Sequence, residues 1–186
     1  MNKLARWINS EAPLTTIEAG QSAPGFSLKA LDGKEYSLTS LLERGPVVLA
    51  FFKISCPVCQ FTFPFLQRLF ERYGGDGVSF LGISQDDARS TKEFNQEYGI
   101  RFPTLIDEHG YPASNAYGLT NVPTIFLVAP DGSIKVQCMG FSKGDLEKIA
   151  AELAQHRALT PAPLFRQNEV VPDILNEGKG RQQCAH

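Results

Sequence analysis

No stretch of about eighteen apolar residues occurs in the 186-residue chain, which excludes a transmembrane helix of ordinary length. No basic block occurs either. Its 18 Lys and Arg stand against 20 Asp and Glu, for a net charge of −2, and this excludes a nucleic-acid footprint. Neither nucleic acid nor membrane is therefore expected as a partner. The opening segment, MNKLARWINSEAPLTTIEAG, has two early cations but no continuous apolar core. It does not read as a secretory leader, and the expected compartment is the cytoplasm. Cysteine is scarce: four in the chain are too few for a disulfide scaffold. Internal repeats are absent.

Hydrophobic residues make up 42% of the chain, enough for a core, and the length suits one domain with extensions. Residues 1–19 read as an N-terminal extension: a short amphipathic helix (Leu4, Trp7, Ile8) and a polar connector. FSLKALDGKEYSL alternates about Asp32-Gly33, a hairpin signal. PVVLAFFKI, 46–54, is a continuous apolar run suited to a central strand covered on both faces. From Pro57 to about Tyr73 the spacing turns helical. Val58, Phe61, Phe65, Leu66, Leu69 and Phe70 share a face, and Gly74-Gly75 ends it. VSFLGIS, 78–84, predicts a second buried strand, and DDARSTKEFNQEYG, 86–99, a polar helix with a glycine stop. FPTLID, 102–107, reads as extended and YPASNAYGL as a small helix. TIFLVAPDGSIKVQCMG, 124–140, reads as a hairpin turned by Pro130-Asp131-Gly132. SKGDLEKIAAELAQH, 142–156, reads as a Ser-capped helix closing on Leu146, Ile149, Ala150 and Leu153. Residues 157–186 form a tail with no regular period, whose apolar pairs Leu164-Phe165, Val170-Val171 and Ile174-Leu175 are its docking points; its last ten residues read as disordered. The order predicts an α/β domain over 20–156, with a mixed sheet, parallel at its centre, and helices on both faces.

Two of the four cysteines stand three apart in FFKISCPVCQFTFPFL, residues 51–66. A metal clamp, a structural disulfide and a redox-active dithiol all use this spacing. A zinc site needs about four ligands, and the remaining Cys138, Cys184, His109, His156 and His186 include no second close pair, so no metal is expected. A structural disulfide between such near neighbours closes a tiny loop and gains little chain entropy. The redox reading gains from the strand before and the helix after. With Pro57 as first helical residue, Cys56 is the N-cap, near free backbone N–H groups at the positive end of the helix. Thiols so placed have pKa values of about 3.5 to 7.5, against roughly 8.5 for a free cysteine. Cys56 is then the exposed nucleophile. Cys59, one turn on and beneath it, is the resolving thiol. Lys53 favours a thiolate electrostatically or is a solvated strand end. Cys138 reads as a small core residue, and Cys184 as a free tail thiol or a third relay thiol.

VVLAFFKISCPVC, the helix after it and NVPTIFLVAPDGSI together resemble the thioredoxin fold. The leading hairpin and the inserted ISQDDARSTKEFNQEYGIRFPTLIDEHG resemble its redoxin branch, the AhpC/TSA or TlpA-like proteins, over roughly residues 20–155. The resemblance implies a thioredoxin-like central mixed sheet with an N-terminal hairpin extension and a βα insertion. It implies thiol–disulfide exchange without a cofactor, with protein disulfides or dithiols as substrates and a reducing or oxidising redox partner. It implies that Pro123 follows a cis bond, that Cys56 and Cys59 cycle through a disulfide, and that Val122, Pro123, Pro57 and Thr62 lie at the substrate surface. The Val122 backbone would pair with a substrate strand.

The chain departs from the family at three positions. Ser55 replaces the tryptophan usual before the first cysteine. Ala50 stands where thioredoxins bury an acid, and Thr62 where TlpA-like members often place a glutamate. That leaves water, Thr62 or the substrate thiolate to accept the Cys59 proton. The peroxiredoxin pattern Pro-x-x-x-Thr/Ser-x-x-Cys fits neither cysteine: Phe52 and Cys56 precede Cys59 at those positions, and Leu49 and Lys53 precede Cys56. A thiol-dependent peroxidase is therefore the second enzymatic reading. A non-enzymatic thioredoxin-fold binding module is the third.

Overall fold

The structure, a computed structural model, describes residues 15–176 and 178–179. The helix expected near Trp7, and Cys184, lie outside the described residues. The chain opens with the hairpin β1 (Ser27–Lys29) and β2 (Glu35–Ser37), then α1 (Leu38–Leu42). It continues through β3 (Val47–Phe52), α2 (Pro57–Tyr73), β4 (Ser79–Ser84), α3 (Ala88–Tyr98), β5 (Thr104–Ile106) and α4 (Pro112–Ala116). The two-residue β6 (Asn121–Val122) leads into β7 (Thr124–Val128), β8 (Ile134–Met139), β9 (Phe141–Ser142) and α5 (Lys143–His156). Two more short strands, β10 (Ile174–Leu175) and β11 (Gly178–Lys179), lie in the tail.

The main sheet has the order β5-β4-β3-β7-β8. β3 pairs parallel with β4, and β4 with β5; β7 runs antiparallel to both β3 and β8. All six residues of β3 are buried, because both faces of the sheet are covered. Val48, Ala50 and Phe52 face a core shared with Phe63 and Leu66 of α2, Phe94 of α3, and Leu146 and Leu153 of α5. Val47, Leu49 and Phe51 face the opposite core, with Leu38 and Leu41 of α1, Ala113 of α4 and Tyr117. The strand's two-residue period thus assigns alternate side chains to two helical layers. Ser37, Asp87 and Ser142 cap α1, α3 and α5 by accepting a backbone N–H. Gly99 ends α3 at φ 67°, a left-handed conformation that glycine adopts without a Cβ clash. Among the described residues no helix is long and apolar enough to cross a membrane.

The tail is bound to the domain. Leu164 and Phe165 are buried in the core beside α2 and α5. The Phe165 ring lies 5.1 Å from that of Phe65 and 6.1 Å from that of Phe141. Arg68 donates to both carboxylate oxygens of Glu169, at 2.7 and 2.6 Å. β10 pairs antiparallel with β9, and Lys143 N donates to Asp173 O at 2.9 Å. Of the last ten residues, expected to be disordered, 178 and 179 form β11, antiparallel to β6.

Candidate active site

The site grows from the carboxyl end of β3. After Phe52 the chain turns, with Cys56 N donating to Lys53 O at 3.1 Å, and α2 starts at Pro57. Cys56 is the N-cap residue, with extended backbone (φ −86°, ψ 115°). Its Sγ accepts the Cys59 N–H at 3.3 Å and donates to Val122 O at 3.4 Å. The Val122–Pro123 peptide is cis. One cap thus joins both cysteines to the Val-Pro segment. No disulfide joins the two. Cys59 is wholly buried and Cys56 keeps only 6% of its surface. The order of exposure is the expected one, but Cys56 is a buried residue rather than an exposed one.

Burial pushes the Cys59 thiol well above its ordinary value; its hydrogen bond with Cys56 adds to this, as do the charges of Cys56 and, more weakly, Asp86. A backbone hydrogen bond from Lys53 opposes the rise. Asp86 is an acid beside this turn that reading the sequence did not single out. The parallel pairing puts Phe52 opposite Ser84, so the segments leaving β3 and β4 run side by side. Gln85 N donates to Phe52 O at 3.1 Å, and Ile54 N to Asp86 Oδ2 at 2.8 Å. Asp86 therefore faces the turn that carries Cys56. Partial burial raises its carboxyl above the usual range, although the Ile54 N–H pulls it down. The adjacent Asp87 instead caps α3, accepting from Ser90 N and Oγ at 2.9 and 2.8 Å. The available signal was an acid just past the end of a buried parallel strand, the place where open α/β sheets put their sites.

The remaining expected residues divide. Val122 and Pro123 are buried beside Cys56, and Pro57 is exposed at the helix start. Thr62, expected at the substrate surface, is wholly buried and donates to Val58 O at 2.6 Å, so it faces the core instead. Cys138 lies in the core, its thiol pushed up to about 12 by burial, and donates to Gly140 O at 3.6 Å. No group of three or more His, Cys, Asp and Glu suited to a metal occurs among the described residues.

A central mixed sheet between two helical layers, with a Cys-x-x-Cys pair opening the helix after its middle strand and a Val-Pro segment opposite, is a thioredoxin-like fold. The chain belongs to the AhpC/TSA family, whose sequence model matches residues 19–137. The thiol-disulfide oxidoreductase ResA of Bacillus thuringiensis (strain Al Hakam) is 32% identical over 125 residues, which are 67% of this chain and 71% of that protein. The thioredoxin domain of a thiol-disulfide oxidoreductase from Bacteroides vulgatus matches with a TM-score of 0.65 at 21% identity, over 74% of this chain and 98% of that one. Peroxidoxin BcpB of Mycobacterium tuberculosis matches with a TM-score of 0.62 at 24% identity, over 77% and 99%. These structural likenesses establish the fold, and the sequence kinship is with thiol–disulfide oxidoreductases.

Proposed function

We propose that the protein exchanges disulfides with other polypeptides through Cys56 and Cys59. The observation that carries this reading is the shared position of Cys56 Sγ, at the α2 cap above Cys59 and 3.4 Å from Val122 O. In the reducing direction the Cys56 thiolate attacks one sulfur of a substrate disulfide. A Cys56–substrate bond forms, the substrate S–S bond breaks, and the other substrate sulfur leaves as a thiolate. Cys59 then loses its proton and attacks Cys56 Sγ, forming the Cys56–Cys59 disulfide and releasing the second substrate sulfur. The substrate gains two electrons and the dithiol loses two; the oxidising direction is the reverse. Asp86, which accepts the Ile54 N–H in the turn before Cys56 and whose charge adds to the rise at Cys59, is the candidate carboxylate for the Cys59 proton in place of those absent at Ala50 and Thr62. Val122 and Pro123 form the wall against which the substrate backbone lies.

Cysteine variants test the assignment with insulin, turnover being read with dithiothreitol and trapping with pre-reduced protein after the dithiothreitol is removed. In the trapping experiment Cys59→Ser should collect a mixed disulfide on Cys56, visible by mass spectrometry, because the first step survives and the second is blocked. Cys56→Ser should lose turnover. A peroxidase would behave otherwise: Cys56→Ser restores a hydroxyl three residues before Cys59, and rapid peroxide consumption with sulfenic acid trapped on Cys59 would replace this reading. The Phe52 side chain at the pattern's proline position argues against that result.

A further inference from the structure

β6 has one strand partner among the described residues, the tail strand β11, in the register Gly178↔Val122 and Lys179↔Asn121. Val122 is also the residue whose carbonyl takes the Cys56 thiol. β11 further lies against α2, the helix that Cys56 caps. The tail backbone thus crosses the segment at which a substrate strand would pair. The residue beside it, Cys56, is buried at 6% exposure, although the second sulfur of a mixed disulfide has to reach its thiol.

We propose that the Asn121–Val122 edge is a strand-binding site held in cis by residues 178–179, and that a polypeptide substrate displaces this strand to reach Cys56. The inference rests on the exchange reading above. Edge strands present a row of backbone donors and acceptors that take another extended chain without regard to its side chains. A two-residue ladder is weak by itself. Here β10, paired with β9, ends three residues before Gly178, and a tether that short gives the strand an effective concentration of the order of millimolar. The occupant is therefore persistent yet exchangeable. A site open only a fraction of the time raises the apparent dissociation constant by the inverse of that fraction and leaves the chemical step alone. An open fraction near one in ten gives an effect of about tenfold.

The test compares full-length Cys184→Ser with a chain lacking 177–186. Both lack the tail thiol, so a difference between them reads the strand and not a sulfur. Both retain the anchors at Phe165, Glu169 and Ile174–Leu175. Gly178→Pro, in the Cys184→Ser background, repeats the test in the full chain, because proline removes an N–H and obstructs the ladder. Amide exchange of the peptide spanning Asn121 and Val122 should be faster in the shortened and Gly178→Pro proteins than in the reference. The KM for insulin should fall about tenfold at unchanged kcat. Equal exchange protection, or equal KM values in proteins that all reduce insulin, would overturn the in-cis strand and leave the exchange chemistry standing. If none of the proteins reduces insulin, the exchange reading itself fails, and the inference falls with it.

Discussion

At the scale of the residue, the proposed exchange assigns three side chains different work by environment. Cys56 accepts the Cys59 N–H of the helix it caps. Cys59 is held as a thiol by burial, so the second step waits on its deprotonation. Asp86, bound by the neighbouring Ile54 N–H, is the carboxylate whose charge adds, more weakly than burial and Cys56, to the rise at Cys59. This predicts a particular pH dependence for release of the mixed disulfide. With Asp86 as acceptor, the rate should rise as Asp86 ionises through its raised range and then flatten. In Asp86→Asn, release should be slower by roughly 10²-fold near neutral pH, a typical general-base effect. It should also keep climbing by about tenfold per pH unit, because hydroxide then takes the proton. Stopped-flow measurement of release from Cys56 reads both slopes; parallel profiles would remove Asp86 from the mechanism. Stability supplies the control. A carboxyl raised by burial disfavours the folded state above its pKa, so Asp86→Asn should melt no lower than the parent at neutral pH. Asp86 was not legible from the sequence because both acids of Gln85-Asp86-Asp87 read as a helix start, and only the register of β3 on β4 separates the cap from the site.

At the scale of the element, α2 joins three functions along one helix. Its first turn holds the dithiol and its middle holds Phe63, whose ring lies 4.3 Å from that of Phe52 and 5.6 Å from that of Phe94. Phe63→Ala should cost about 3–5 kcal/mol, as aromatic truncations in closed cores do, and a urea titration checks it. Farther along, Arg68 holds the tail through Glu169, with its guanidinium 4.9 Å from the Phe65 ring. The Arg68 hydrogen bonds hold the Glu169 carboxyl down at about 2, against an ordinary value of 4.5. The sign follows from linkage. A carboxyl lowered by folding contributes stability that is complete above its unfolded pKa and lost as pH falls through the folded one. Amide protection of residues 160–176 should hold above about pH 4.5 and weaken from there toward pH 2. Glu169→Gln should weaken it at neutral pH and remove that acid step. An acid step of equal size in Glu169→Gln would assign the tail's hold to its apolar contacts alone.

At the scale of the whole molecule, the parts legible in the sequence are those that carry a period. The apolar run at 46–54, the helical face of 57–73 and the hairpin about Pro130-Asp131-Gly132 each announce their partners by pattern, and together they imply the sheet. The dithiol was legible because cysteine, proline and a strand-to-helix junction coincide. The tail was not, since strands of two residues have no measurable alternation and their partners lie more than thirty positions away. Its apolar pairs offered docking points without saying which dock or where, and Val170 and Ile174 are in fact exposed. The structure places Leu164 and Phe165 against α2 and α5, so the tail has two parts of different consequence. Residues 160–176 complete the core, whereas 177–186 include the strand at the active-site edge. Two truncations should separate them. Deleting 160–186 uncovers Phe65 and Phe141 and removes two buried side chains, each contributing about 1.5–3 kcal/mol. A domain of this size loses about 2–4 °C per kcal/mol, so its melting temperature should fall on the order of 10 °C. Deleting 177–186 alone keeps the anchors and should leave melting within about 2 °C of the parent, since a two-residue surface ladder adds little net stability. Calorimetry of the two shortened proteins beside the parent decides the matter. Equal melting of all three would mean that Leu164 and Phe165 do not belong to the core, and a large loss from the shorter deletion would make β11 a structural strand rather than an exchangeable one.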